Sequence, residues 1–280
     1  MINIGRKQPY TNPFEVITKN IPLSKIRFAI FDFDGTISLI REGWQQVMIP
    51  MMVDILMETP EHESIERLQK VVRTYVANTT GKQTIYQMIR LVEEIKQRRG
   101  QPAPPLAYKE EYHQRLMSRI IKRLEGLRSG SIQPEDMVVP GALEALAEIT
   151  EAGVKCFLAS GTDEKFVFDE ANLLGIMSYF EGVYGALDDY KTYSKKMVIK
   201  RILQDNNLSG PELIAFGDGY VEIENTKEVG GIAIGLATNE SERSGIDQWK
   251  RDRLIASGAD VIMADFLPFS DLWHHLLLKE

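Results

Sequence analysis

The chain has 280 residues, 44% of them hydrophobic and 26% charged, the balance of an ordinary soluble globular protein with room for one large domain or two smaller ones. A formal net charge of −7 lacks the basic excess of a nucleic-acid-binding surface, so no nucleic-acid partner is expected. The single cysteine, Cys156, excludes an intrachain disulfide framework and fits a reducing compartment; the most apolar stretch, "VMIPMMVDILM", is too short to span a bilayer, so no membrane partner is expected.

Residues 1–24 are polar, broken by Pro9, Pro13 and Pro22, and read as an N-terminal arm; without an apolar signal core, the expected location is cytoplasmic. From Ile26 to Phe33 apolar residues occupy both faces of an extended segment, the pattern of a strand covered on two sides. Residues 41–129 then read as helices only. The first is "REGWQQVMIPMMVDILM"; the second is expected to start at Thr59 as N-cap with Pro60 in its first turn; the third carries the stripe Ile85, Ile89, Val92 and Ile95. A fourth follows "GQPAPP". Beyond Pro140-Gly141, helices closed by Gly153 and Gly175 alternate with the strands "VKCFLAS", "GVYGA", "ELIAFGD", "GIAIGLA" and "ADVIMAD". The expected fold class is therefore α/β: a three-layer, parallel-sheet, Rossmann-like core from residues 25–40 and 130–280, with an all-helical cap, 41–129, inserted after the first strand.

In open parallel sheets, sites form at the C-terminal ends of strands. Those ends carry Asp32 and Asp34, Ser160, and Asp218, with Glu222 one turn further on, and each group lies beside a glycine. Residues two apart on a strand point to the same side, so Asp32 and Asp34 can reach one bound group. Four gathered carboxylates repel by roughly 4 kcal/mol per close pair at about 4 Å and an effective dielectric of about 20, and so need protons or a cation. All-oxygen ligation without His or Cys favours Mg²⁺. A carboxylate nucleophile beside a metal suits phosphoryl transfer, the second carboxylate serving as general acid and base.

"DFDGT", "LASGT", a lysine in "YSKKMVI" and "GDGYVEIE" together resemble the four ordered motifs of the haloacid dehalogenase-like (HAD) hydrolase superfamily, in its phosphatase branch. The resemblance spans residues 26–40 and about 135–280, and the helical insert is similar to a type I cap. It implies Asp32 as nucleophile and Asp34 as general acid/base. The implied magnesium ligands are Asp32, the backbone carbonyl of Asp34, Asp218 and, directly or through water, Glu222. Ser160 and Gly161 match the phosphate-binding hydroxyl and amide, with Gly35, Thr36 and Thr162 beside them. The phosphate-binding lysine is Lys195 or Lys196; Lys195 is preferred because Ile199 and Ile202 then fall on the buried side. Glu222 stands where many relatives carry Asp, and Val221 where many carry Asn.

Plainer explanations exist for each feature alone: Asp-x-Asp-Gly makes a turn, and Ser160 or Thr162 caps a helix. His62, His113, His274 and His275 fit surface or packing positions. The expected function is a Mg²⁺-dependent phosphomonoesterase for a small phosphorylated metabolite, a sugar phosphate or similar, acting through an aspartyl-phosphate as a monomer or homodimer. Arg41, Glu42, Trp44 and the turn "TTGKQT" (79–84) are the candidates for contact with the ester. The alternatives are a phosphomutase of the same superfamily (β-phosphoglucomutase-like), a 2-haloacid dehalogenase, and a non-catalytic binding protein.

Overall fold

The computed structural model describes residues 14–19, 21, 26–187, 193–206 and 209–277. Most of the expected arm, including Pro9, Pro13 and Pro22, lies outside the described residues, as does the side chain of His275.

Seven strands make one mostly parallel sheet: β1 (Phe14–Val16), β2 (Phe28–Phe31), β3 (Lys155–Asp163), β4 (Phe180–Ala186), β5 (Leu213–Gly217), β6 (Ile232–Leu236) and β7 (Val261–Met263), in the order β1-β7-β6-β5-β2-β3-β4. The most hydrophobic strand, β2, runs parallel between β5 and β3. Its alternating residues supply two layers. Ala29 and Phe31 join the core formed with α5 (Ala142–Glu151) and α10 (Phe269–Leu277), whereas Phe28 and Ile30 pack with Val198, Ile199 and Ile202 of α7 (Lys195–Asp205). Phe31 stacks on its register partner Phe216 with ring centroids 4.6 Å apart. A smaller cluster joins β6 and β7 to α8 (Tyr220–Glu228) and α9 (Gln248–Ala256) through Ile223, Ala233, Leu254 and Ile262. The remaining core helix, α6 (Glu164–Leu173), follows β3.

Part of the expected arm is a strand. β1 pairs antiparallel with β7, the one antiparallel pair among the described strands, and Glu15 in it receives two hydrogen bonds from Arg251, at 2.7 and 2.8 Å. Three residues are too few to show a period of two, which is why the sequence reads as irregular there.

Between β2 and α5 lie four helices: α1 (Gln45–Met57), α2 (Ile65–Thr79), α3 (Thr84–Gln97) and α4 (Pro105–Ser129). Met48, Met52 and Leu56 of α1 meet Leu68, Met88 and Leu116 of the other three in one buried core. α1 runs continuously through Pro50. α2 does not start at Thr59: the Thr59 hydroxyl donates back to the Leu56 carbonyl at 2.6 Å, and Ser64 caps the helix by accepting from the Arg67 amide. Thr59 thus finishes one helix instead of opening the next. The two segments entering and leaving these helices run side by side, with Leu39 N donating to Met137 O and Val139 N to Ile37 O, each at 2.8 Å.

Candidate active site

Beyond Phe31 the chain turns through a loop in which the Ile37 and Ser38 amides both donate to Phe33 O, and Gly35 adopts φ +75°. That positive φ suits glycine, and the Asp218 carboxylate packs where a side chain at residue 35 would stand. Asp32, 5% exposed, accepts on Oδ1 from the Phe33 amide and from Lys195 Nζ, both at 2.7 Å. Asp34 accepts on Oδ2 from Thr162 Oγ1 at 2.8 Å and from Ser160 Oγ at 3.3 Å. Its Oδ1 is buried without a hydrogen bond, 3.8 Å from Arg41 Nε.

Of the two candidate lysines, Lys195 faces the cleft and Lys196 pairs with Glu228 away from it. Lys195 opens α7, whose N-cap Ser194 accepts from Met197 N, and its ammonium bridges Asp32 and Glu222. Burial works against that charge, but Asp32 and Glu222 outweigh it and hold the Lys195 pKa above its ordinary value. Burial pushes the Asp32 carboxyl well above the usual carboxylate range, against the pull of Lys195, and Glu222 and Asp218 push the same way.

Asp218 follows β5. Its amide donates to Thr36 Oγ1 at 3.0 Å, and its carboxylate accepts from Lys250 Nζ at 2.7 Å. Lys250 also donates to Glu240 at 2.6 Å. Burial disfavours the charged form of both Lys250 and Glu240. The two nearby carboxylates still raise the Lys250 pKa, and Asp218 adds to the rise at Glu240 against the pull of Lys250.

Two expected cleft positions need correction, and the expected metal ligands are engaged by lysines: Lys195 lies between Asp32 and Glu222, and Lys250 holds Asp218. Among the described residues no three His, Cys, Asp or Glu side chains form a ready metal-ligand group. Thr36 is fully buried and braces the Asp218 loop, and does not line the cleft. Glu42 is turned out of the cleft and paired with Arg123 at 2.8 Å, because neighbouring residues of the 41–44 turn diverge. Arg41 does line the cleft but is held by Glu170 of α6, at 2.6 Å from Nη2. Burial opposes its charge, while Glu170 and Asp34 raise its pKa. Gly35, Trp44, Gly161 and Thr162 line the cleft with Asp32, Asp34, Ser160, Lys195 and Asp218.

A divalent cation fits this set. Asp32, Asp34, Asp218, Glu222, Glu240 and Glu170 outnumber Lys195, Lys250, Arg41 and Lys82, six to four. Oxygens of Asp34 and Glu222 are buried without a hydrogen bond. Leftover negative charge and orphaned carboxylate oxygens are the donor chemistry of a hard cation.

The helical segment closes the other side. A Cβ at Gly161 would stand 2.9 Å from Lys82 O, Gln83 Nε2 donates to Tyr193 O at 2.7 Å, and Tyr220 OH donates to Asn78 O at 2.9 Å. The 79–84 turn therefore sits directly on the strand-end loops. With Trp44, Met48, Gln87 and Tyr112 it lines a cleft with a cavity volume of about 100 Å³. Sequence reading missed Glu170, Lys250, Glu240, Gln87 and Tyr112. Of these, only Glu240 carried a signal, its position just beyond the end of β6.

Residues 26–230 match a family model described as haloacid dehalogenase-like hydrolase. No curated protein matches the chain. Solved structures similar to it include a predicted phosphoglycolate phosphatase from Haemophilus somnus, with 16% identity and a TM-score of 0.58 over 89% of this chain and 98% of that one. A β-phosphoglucomutase from Clostridium difficile gives 14% identity and 0.61 over 90% and 97%. A predicted phosphatase from Clostridium acetobutylicum gives 16% identity and 0.54 over 91% and 99%. At these identities the likeness is one of fold.

Proposed function

The chain belongs to the haloacid dehalogenase-like hydrolases, and from that membership we propose that it hydrolyses the phosphomonoester of a small soluble metabolite, a sugar phosphate or a similar hydroxylated compound, with Mg²⁺ as cofactor. One observation carries the reading: buried Asp32 and its cation Lys195 face the same cleft as an Asp34 carboxylate held by two hydroxyls.

In this reading the Asp32 carboxylate attacks phosphorus. The bond from phosphorus to the leaving oxygen breaks as protonated Asp34 gives that oxygen its proton. Asp34 then takes a proton from water, the water oxygen attacks phosphorus, and the bond to Asp32 breaks. Phosphate leaves, with Asp32 again a free carboxylate beside Lys195 and Asp34 carrying the proton taken from water. Lys195, Ser160 and the backbone at Gly161 hold the phosphoryl oxygens. Asp32, Asp218, the Asp34 carbonyl and Glu222 would hold Mg²⁺, which when bound would supply neutralisation of charge on the transferring group. The four helices act as a type I cap that excludes water. Action in the cytoplasm as a monomer or homodimer completes the proposal, and the buried lone thiol of Cys156 supports a reducing compartment.

The test is phosphate release from a panel of phosphorylated metabolites with Mg²⁺, repeated with Asp32→Asn. Turnover that disappears in the variant and in chelator supports the reading; unchanged turnover by Asp32→Asn overturns the covalent step. The fold likeness to a β-phosphoglucomutase keeps a phosphomutase in view, and free phosphate released without a bisphosphate primer excludes an obligate one. Turnover of a halo-acid in chelator, with none of phosphate esters, would favour a dehalogenase.

A further inference from the structure

Gln87 lies in the first turn of α3 and lines the cleft, yet is only 3% exposed. Its Nε2 donates to the Thr79 carbonyl at 3.1 Å. A carbonyl can only accept, so the amide nitrogen must face Thr79, and the planar amide then turns Oε1 the other way. That oxygen is buried and has no hydrogen-bond partner among the described residues. Leaving a buried acceptor unpaired costs about 1–3 kcal/mol. The residue holding it in place, Thr79, begins the turn that sits on Gly161 and Gly219, so the unpaired oxygen belongs to the closed arrangement of the cleft.

We propose that Gln87 selects the ester: its Oε1 accepts a hydrogen bond from a hydroxyl on the leaving-alcohol part of the substrate. This rests on the phosphatase reading above and adds a residue and a rule to it. Closure over an ester that brings a hydroxyl pairs the acceptor. Closure over one without it leaves the acceptor buried and unpaired. A site built to bond a hydroxyl rejects the analogue lacking it far more strongly than an apolar pocket rejects a missing methylene. Trp44 and Met48 supply apolar walls of the same cleft, and of its other polar lining residues Thr80, Lys82, Thr84 and Tyr112 none has a buried oxygen left unpaired as Gln87 has.

The experiment pairs enzyme variants with substrate variants. Polyol phosphates of three to six carbons are each compared with the alkyl phosphate of the same chain length, on the wild-type protein and on Gln87→Met, which keeps length and loses both the acceptor and the hydrogen bond to Thr79. The wild type is expected to favour at least one polyol phosphate by tenfold or more in kcat/KM. Gln87→Met is expected to bring that preference below threefold, through a fall on the polyol ester. An unchanged preference in Gln87→Met, or an equal fall on both esters, overturns the proposal, the second because it marks a purely structural role. Gln87→Glu retains an acceptor and is expected to keep more of the preference than Gln87→Met; the reverse order counts against the proposal. If the wild type hydrolyses alkyl and polyol esters equally, the phosphatase reading stands and this inference falls. If it hydrolyses neither but hydrolyses another phosphate ester of the panel, the phosphatase reading stands and this inference falls; if no ester is hydrolysed, both fall.

Discussion

Lys195 Nζ lies 2.7 Å from Asp32 Oδ1, and both side chains are almost wholly buried. The contact crosses from the start of α7 to the end of β2 and is shared with Glu222. Lys195→Met removes the charge that faces both the carboxylate and the phosphoryl oxygens. Losing one such preorganised donor costs about 10²–10³ in kcat, and that is the expected loss in steady-state phosphate release. A fall smaller than about tenfold would remove Lys195 from the catalytic set.

Lys250 does a different job, because it touches the expected metal ligand Asp218 and not Asp32. A unit charge within about 6 Å contributes on the order of 3 kcal/mol at an effective dielectric of about 20. Lys250→Met should therefore bind Mg²⁺ more tightly, at least threefold by titration calorimetry, while kcat falls because Asp218 has lost the partner that orients it. Weaker Mg²⁺ binding by the variant would show that Lys250 does not compete with the cation for Asp218.

The Arg41–Glu170 pair joins the segment leaving β2 to the face of α6, with both side chains buried. Breaking a buried pair strands a charge and costs about 3–5 kcal/mol. Arg41→Met or Glu170→Met alone should lower stability by that amount in urea unfolding. The double variant should recover most of it, since two apolar side chains leave neither charge uncompensated. A double variant as unstable as the sum of the singles would mean that other contacts, such as Arg41 with Asp34, carry the effect.

These three sites differ in how far the sequence announces them. Asp32, Asp34, Ser160 and Asp218 fall at the ends of apolar strands, and a parallel sheet brings such ends together whatever the intervening chain does. Lys195 was legible only through the helical spacing of Ile199 and Ile202. Glu170 was not legible, because a glutamate inside an amphipathic helix reads as solvent-facing until Arg41 arrives from 129 residues away. Lys250 and Gln87 were missed for the same reason: each is defined by a partner that the tertiary packing supplies. That Arg41 and not Glu42 faces the cleft turns on a single residue of a turn, where no periodicity decides direction. β1 was lost because three residues carry no pattern.

Cys156 tests the core instead of the cleft. It is buried on β3, where its thiol donates to Val154 O at 3.7 Å, and burial, aided by Glu181, pushes its pKa up to about 12. In the unfolded chain the thiol ionises near about 8.5. The thiol therefore contributes no pH dependence below that value. Above it the unfolded state loses its proton first, and stability declines by about 1.4 kcal/mol per pH unit until the folded-state pKa is reached. Urea midpoints should accordingly be flat around pH 7–8 with respect to this group and fall between about pH 9 and 11. Cys156→Ala should flatten that alkaline slope by about one proton's worth. Native protein should also resist a disulfide-exchange reagent at pH 8 and react with one equivalent once unfolded. Rapid reaction of the folded chain at pH 8 would show that this strand opens to solvent, and would contradict an inert structural thiol.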